Sequence, residues 1–171
     1  MPVWFRSLGY MTLVFAAWLV AAPAALLLVE RGRFDLALRA PPWPAIGAAT
    51  LMLGQALALV AGGYLTVVGR GTPWPLDPPA RLVTTGPYRL VRNPLAIALL
   101  LMVAGEALVI RSRLLWVIWP LTLAYLQFLA GPWEDRQLKA LHGRDYLAYK
   151  ARVGKWLPRS TRGETPGPRA H

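Results

Sequence analysis

Two polar stretches of this 171-residue chain hold most of the side chains able to do chemistry. The first reads Gly71-Thr72-Pro73-Trp74-Pro75-Leu76-Asp77-Pro78-Pro79, then Leu82-Val83-Thr84-Thr85-Gly86-Pro87-Tyr88-Arg89-Leu90-Val91-Arg92-Asn93-Pro94. The second reads Trp133-Glu134-Asp135-Arg136-Gln137-Leu138, then Gly143-Arg144-Asp145-Tyr146-Leu147-Ala148-Tyr149-Lys150-Ala151-Arg152-Val153 and Trp156-Leu157-Pro158. Together they offer three kinds of contact. Arg89 and Arg92 are donors suited to an anion. Glu134 and Asp135 accept from an ammonium or from hydroxyls. Tyr88, Tyr146 and Tyr149 present aromatic surface to a flat base or a cation. Other chemistries are excluded by composition. With no cysteine there is no thiolate nucleophile, iron–sulfur cluster or cysteine zinc site. Two histidines, His142 and His171, are too few for a histidine metal centre, and eight scattered acidic residues argue against a carboxylate one. No metal is expected.

The elements that must position these stretches are apolar. The chain is 56% hydrophobic and 16% charged, against about 25% charged in soluble domains. Residues 8–29, 45–68, 95–110 and 114–130 form four apolar runs, charged only at Glu106. The first two are long enough to cross a hydrocarbon core of about 30 Å, and the last two are near the lower limit. Run 8–29 exceeds a signal-peptide core of roughly 7–15 residues, so it reads as a retained span. Only Arg111, Ser112 and Arg113 separate the third and fourth runs, which predicts a tight helical hairpin. Residues 69–93 are too rich in Gly and Pro for a long helix. Residues 133–153 read as two short amphipathic helices, with Pro132 at a first position, a break at Gly143, Asp145 starting the second and Gly154 ending it. The fold class is therefore all-α: a polytopic membrane protein with four spans, a short hairpin and carboxyl-terminal amphipathic helices. It divides into a two-span region (1–68), a functional region (69–158) and a disordered Pro/Gly/charge tail (159–171).

With four spans, 14 of the 19 Lys and Arg residues fall on one side, together with both termini and residues 69–93. The positive-inside rule makes that side cytoplasmic, which points to a bacterial-type inner (plasma) membrane. The net charge of +11 then serves topology and anionic head groups. No nucleic-acid partner is expected.

The order of these pieces resembles the isoprenylcysteine carboxyl methyltransferase-like family of integral membrane methyltransferases, which is similar to phospholipid N-methyltransferases. The family pattern is Gly-x-Tyr-x-x-x-Arg-His-Pro, a helical hairpin, an acidic pair, then Gly-x-x-Tyr-x-x-Tyr ending near Pro. The resemblance covers about residues 69–158. It implies an S-adenosylmethionine-dependent methyltransferase acting on a lipophilic small-molecule or lipidated substrate at the cytoplasmic membrane surface, among membrane lipids. It also implies catalytic roles for Arg92, Asn93 and Glu134. The cofactor would be held by Thr85, Gly86, Tyr88, Arg89, Asn93, Pro94, Glu134, Asp135, Tyr146 and Tyr149.

Two positions depart from the pattern: Asn93 replaces the family His, and Ala96 replaces a Tyr two residues after the Pro. Asn hydrogen-bonds but does not titrate near neutrality, which favours an acceptor that is already nucleophilic. The same departures allow a catalytically degenerate member serving in membrane assembly or lipid binding. A nicotinamide-dependent membrane reductase, similar to steroid 5-alpha reductases, is a third reading. Several residues also have structural readings. Asn93 and Pro94 suit a helix cap and first position. Asp135 suits a surface pair with Lys139, and Trp74, Trp133 and Trp156 suit an interfacial belt. Gln55 suits an interhelical hydrogen bond. Glu106 lies thirteen helical positions from Asn93, roughly 20 Å, and is expected to pair with Arg111 or Arg113.

Overall fold

A computed structural model describes residues 5, 6, 9, 42–72 and 79–159. These residues are helical, and no strand occurs among them. The order is α1 (Trp43–Val67), a 3-10 turn (Gly86–Arg89), α2 (Pro94–Ile110), α3 (Arg113–Tyr125), a wide π turn (Leu126–Ala130) and α4 (Gly131–Arg152). Among the described residues, two helices are long and apolar enough to cross a membrane. One is Trp43–Val67; the other is the continuous run Arg113–Arg152 formed by α3, the π turn and α4. The apolar α2 is shorter. Four spans are thus not what the described residues show: run 8–29, with Arg31, Arg33 and Arg39, lies outside them, as do Trp74 and most of the tail.

Small residues set the spacing of α1 and α2. A Cβ at Gly47 would stand 2.6 Å from Leu108 Cβ, and one at Gly54 would stand 2.9 Å from Ala98 O. From the other helix, a Cβ at Gly105 would stand 2.6 Å from the Leu51 nitrogen. Rising numbers on α1 meet falling numbers on α2, so the pair is antiparallel and its backbones touch. This is how helices associate where the surroundings are as apolar as the side chains. Met52 (72% exposed) and Phe128 (72%) face outward with Leu53, Val117, Leu121 and Leu129, the surface a bilayer would cover.

The predicted hairpin is present. Arg111 closes α2 in the left-handed region (φ 63°), and Ser112 caps α3 by accepting from Leu115 N at 3.1 Å. Val103, Ala107 and Leu115 pack between the arms, and Trp119 Nε1 donates to Leu100 O at 3.0 Å. No break separates α3 from α4. Pro132 has no N–H and its ring would strike the carbonyl four residues earlier. The helix widens there by one residue, with Gly131 N–H bonding back to Leu126 O.

Gly143 (φ 50°, ψ −120°) interrupts α4 at the expected place. The chain folds back so that Tyr146, Tyr149 and Val153 pack with Leu82 and Leu138. Residues 153–157 then form a strap across the start of α2. Arg92 N donates to Gly154 O (2.8 Å) and Asn93 N to Lys155 O (3.4 Å).

Candidate active site

A cavity of about 570 Å³ lies where α1, the 3-10 turn, α2, the π turn and α4 converge. Leu95 and Leu99 of α2 and Leu126 and Leu129 of the π turn form an apolar wall continuous with the outward-facing surface. Tyr88, Arg92, Asn93, Glu134 and Tyr149 form its polar end. The space is therefore amphipathic, and its volume suits a drug-sized ligand.

Local chemistry places each polar group. Gly86 (φ 59°) starts the 3-10 turn, and a Cβ there would collide with the Tyr64 ring. The turn delivers Tyr88 into a core of Ala61 and Val83. Asn93 is the α2 cap, its Oδ1 accepting from Ala96 N at 3.1 Å. Its Nδ2 donates to Glu134 Oε2 at 3.3 Å. Both ends of this amide are therefore engaged within the protein.

Beside the cavity is a polar knot. Arg92 Nε donates to Val153 O (3.0 Å), and its Nη1 donates to Asp135 Oδ1 and Tyr146 Oη (3.1 Å each). Asp135 also accepts from Tyr146 Oη and Lys150 Nζ. Tyr149 Oη donates to Tyr88 O at 2.7 Å. These bonds split the two neighbouring carboxyls. Burial chiefly, then the Asp135 charge, pushes Glu134 above the usual range, against Lys155 and Arg92. Burial acts upward on Asp135 too, but hydrogen bonds from Lys150 and Tyr146 and the Arg92 and Lys150 charges outweigh it and hold Asp135 low.

The structure sorts the sequence candidates. Tyr88, Arg92, Asn93, Glu134 and Tyr149 line the cavity. Asp135 and Tyr146 line a small recess next to it with Lys155. Thr85, Gly86, Arg89 and Pro94 line neither; Arg89 is exposed, and Pro94 is buried at the helix start. Asp135 pairs with Arg92 and Lys150 rather than Lys139, because the fold-back at Gly143 brings Lys150 to it. Glu106 has neither Arg111 nor Arg113 as a hydrogen-bond partner: it is buried, and both its oxygens lack a hydrogen bond among the described residues. The Gln55 amide is likewise unpartnered. Sequence reasoning missed Thr72, Gln137 and Lys155. Thr72 and Gln137 line the cavity and lie within the two polar stretches, but nothing in their spacing singles them out; Lys155 lines the small recess beside it and falls between Val153 and Trp156 of the second stretch without a motif of its own.

Tightly packed apolar helices leading into a half-polar cavity define a helical membrane protein that handles an amphipathic ligand. Residues 43–145, more than half the chain, match the phospholipid methyltransferase family. The chain belongs to that family, within the isoprenylcysteine carboxyl methyltransferase-like group of integral membrane methyltransferases. Comparison with curated proteins returns no match. Family membership makes the protein a membrane methyltransferase with a lipid substrate.

Proposed function

We propose that the protein transfers a methyl group from S-adenosylmethionine to a lipophilic acceptor at the cytoplasmic face of a plasma-type membrane. The observation that carries this reading is the joining of an apolar, outward-continuous wall to the Tyr88–Asn93–Glu134 end in one cavity. The residues fit the cofactor. Tyr88 Oη is buried with no hydrogen-bond partner among the described residues, which leaves a donor and acceptor at the cavity's polar end. Glu134 accepts only one described hydrogen bond, from Asn93, which leaves acceptor capacity for an ammonium or ribose hydroxyl. Tyr149 adds aromatic surface. The bound cofactor supplies an electrophilic methyl group on a sulfonium.

The chain's own groups then have distinct tasks. Glu134 and Tyr88 bind and orient. Asn93 keeps the Glu134 carboxylate turned into the cavity. Leu95, Leu99, Leu126 and Leu129 hold an acyl or prenyl chain and exclude water, so alignment contributes most of the rate. Arg92 ties the site together through Nε and Nη1, and it lines the cavity, where its Nη2 donors remain to meet an anionic group. An acceptor arriving as a carboxylate needs no base. An amine must lose a proton, and Glu134, held above the usual carboxyl range, is placed to take it.

The test is calorimetry with S-adenosylhomocysteine, together with transfer of labelled methyl into a lipid extract. Wild type should bind and transfer. Glu134→Ala should weaken binding by about 1.5–3 kcal/mol, the scale of a charged hydrogen bond. Binding unaffected by both Glu134→Ala and Tyr88→Phe would place the cofactor elsewhere. Orientation is tested at Leu157, which is 77% exposed. In a chain without native cysteine, Leu157→Cys should be labelled only from the cytoplasmic side.

A further inference from the structure

The wide turn Leu126–Ala130 leaves a carbonyl that its own helix does not satisfy. Gly131 N–H bonds back five residues to Leu126 O. In that register the next donor belongs to residue 132, a proline, so Gln127 O has no helical partner. Lys155 supplies one. Its Nζ donates to Leu126 O (3.2 Å), Gln127 O (3.4 Å) and Gln127 Oε1 (3.0 Å), which uses all three protons of an ammonium. It reaches them by passing Gly131, where a Cβ would collide with Nζ and stand 2.7 Å from Leu126 O. Trp156 Nε1 donates to the same Gln127 Oε1 at 2.8 Å, and the ammonium lies 5.1 Å from the Trp156 ring centre. The other edge of this strap is bonded to the amides of Arg92 and Asn93. Lys155 thus ties the turn that leads into Glu134 to the backbone carrying Asn93, which holds the Glu134 carboxylate.

We propose that Lys155 is a positioning residue: it clamps the wide turn to the strap and sets both the place and the electrostatic surroundings of Glu134. The consequence for rate rests on the methyltransferase reading; the clamp does not. The groups facing Glu134 are Asp135 on its own helix, Arg92 before α2, Lys155 in the strap, and the hydroxyls of Tyr88 and Tyr149. Arg92 and Lys150 are committed to Asp135. Among the described residues, Lys155 touches no carboxylate, so its charge acts on Glu134 through space.

Two variants separate clamp from charge. Lys155→Met removes both, whereas Gly131→Ala evicts the ammonium from the turn and keeps its charge. Hydrogen–deuterium exchange in reconstituted protein reads the clamp without any cofactor. Amides in 91–93 and 126–131 should exchange roughly tenfold faster in each variant, the scale of one lost charged hydrogen bond. Lys139→Met, on the exposed face of α4, should exchange like wild type. The double variant should be no worse than Gly131→Ala alone, where the Lys155 contact is already lost and the added Cβ already meets Leu126 O. In the methyl-transfer assay, the acid limb of the pH profile should move up in Lys155→Met, because a charge that lowers the Glu134 value is gone, and by less in Gly131→Ala. Unchanged exchange in both single variants overturns the clamp, and an unmoved acid limb in Lys155→Met overturns the electrostatic part. A wild type that transfers no methyl while Lys155→Met exchanges faster overturns the proposed function and leaves the clamp standing.

Discussion

The two ends of the α2–α3 hairpin bury carboxylates under opposite conditions. At the site end, Glu134 and Asp135 are held by Asn93 and Arg92 at the start of α2 and by Tyr146 and Lys150 beyond the fold-back in α4. At the turn end, Glu106 is 2% exposed, and neither of its oxygens has a hydrogen-bond partner among the described residues. What joins helices there is backbone contact at Gly47, Gly54 and Gly105. One end is organised by polar bonds that also shape a cavity, the other by the absence of side chains. The difference teaches that a buried acid in this protein gains its role from its partners and not from its burial.

The largest effect should come from disturbing the glycine seam. A side chain at 105 meets the Leu51 backbone, at 2.6 Å from N and 2.8 Å from Cα, and backbone does not yield by changing rotamer. Gly105→Leu should cost about 3 kcal/mol or more, the upper range for overpacking, read as unfolding in mixed micelles. Gly63→Ala is the matched control, since nothing lies within 4 Å of its Cβ position. A tolerated Gly105→Leu would mean that the seam is not what joins α1 to α2.

Next in size is the knot. Arg92→Met removes bonds to Val153 O, Asp135 and Tyr146, and should cost roughly 2–4 kcal/mol by leaving Asp135 short of charge. Asp135→Asn should cost less in that background than alone. Additive losses would show that the bond between the two residues contributes little.

Much of this contrast was legible in the sequence, but unevenly. The helices followed from uncharged runs, and the cap followed from Asn93-Pro94, because both are local properties. The fold-back was marked by Gly143. The pairing of Arg92 with Asp135 was not readable, since it joins residues on opposite sides of the hairpin and depends on how α4 returns. Lys139, four residues from Asp135, was the only partner that helix periodicity could nominate. The missing partner of Glu106 was equally invisible: sequence proximity to Arg111 and Arg113 says nothing about where those side chains point once Arg111 takes a left-handed backbone. The family motif includes residues of the cavity's polar end and also Arg89, which is exposed and lines neither the cavity nor the recess.

A smaller, opposite-signed effect is expected at Glu134. Its carboxyl is held above the usual range by burial first and then by Asp135. The folded protein therefore binds that proton more tightly than the unfolded chain. The resulting stability is full below the unfolded value of about 4.3 and is lost as pH rises through the folded value. Asp135 behaves inversely: its contribution is present above about 3.9 and fades as pH falls through its depressed folded value. Glu134→Gln keeps an acceptor for Asn93 and removes the charge. It should raise stability near pH 7 by about 1 kcal/mol while lowering methyl transfer, the usual exchange of stability for function. Asp135→Asn should lower stability at the same pH. If both substitutions move stability in the same direction at pH 7, the two carboxyls are not split as described.

The smallest effect on function should be at Glu106, although it is the most deeply buried carboxylate described. Thirteen helical positions separate it from Asn93, roughly 20 Å, and it does not line the cavity. A role in methyl transfer would need a path through α2 to the cap. The bonds that fix the cap, from Ala96 N and to Glu134 Oε2, do not involve that far end. Glu106→Gln keeps shape and removes the acid; Glu106→Leu also removes the unmet hydrogen-bonding capacity. With no partner to orphan among the described residues, Glu106→Leu should be neutral or stabilising, unlike the loss expected when a member of a paired set is removed. Both variants should bind S-adenosylhomocysteine within about twofold of wild type, well under the 1.4 kcal/mol that a tenfold change represents. The measurement is calorimetry beside micellar unfolding. A destabilised Glu106→Leu with normal binding would reveal a partner for Glu106 and make the two ends of the hairpin alike; weakened binding in both variants would show that the turn end reaches the site.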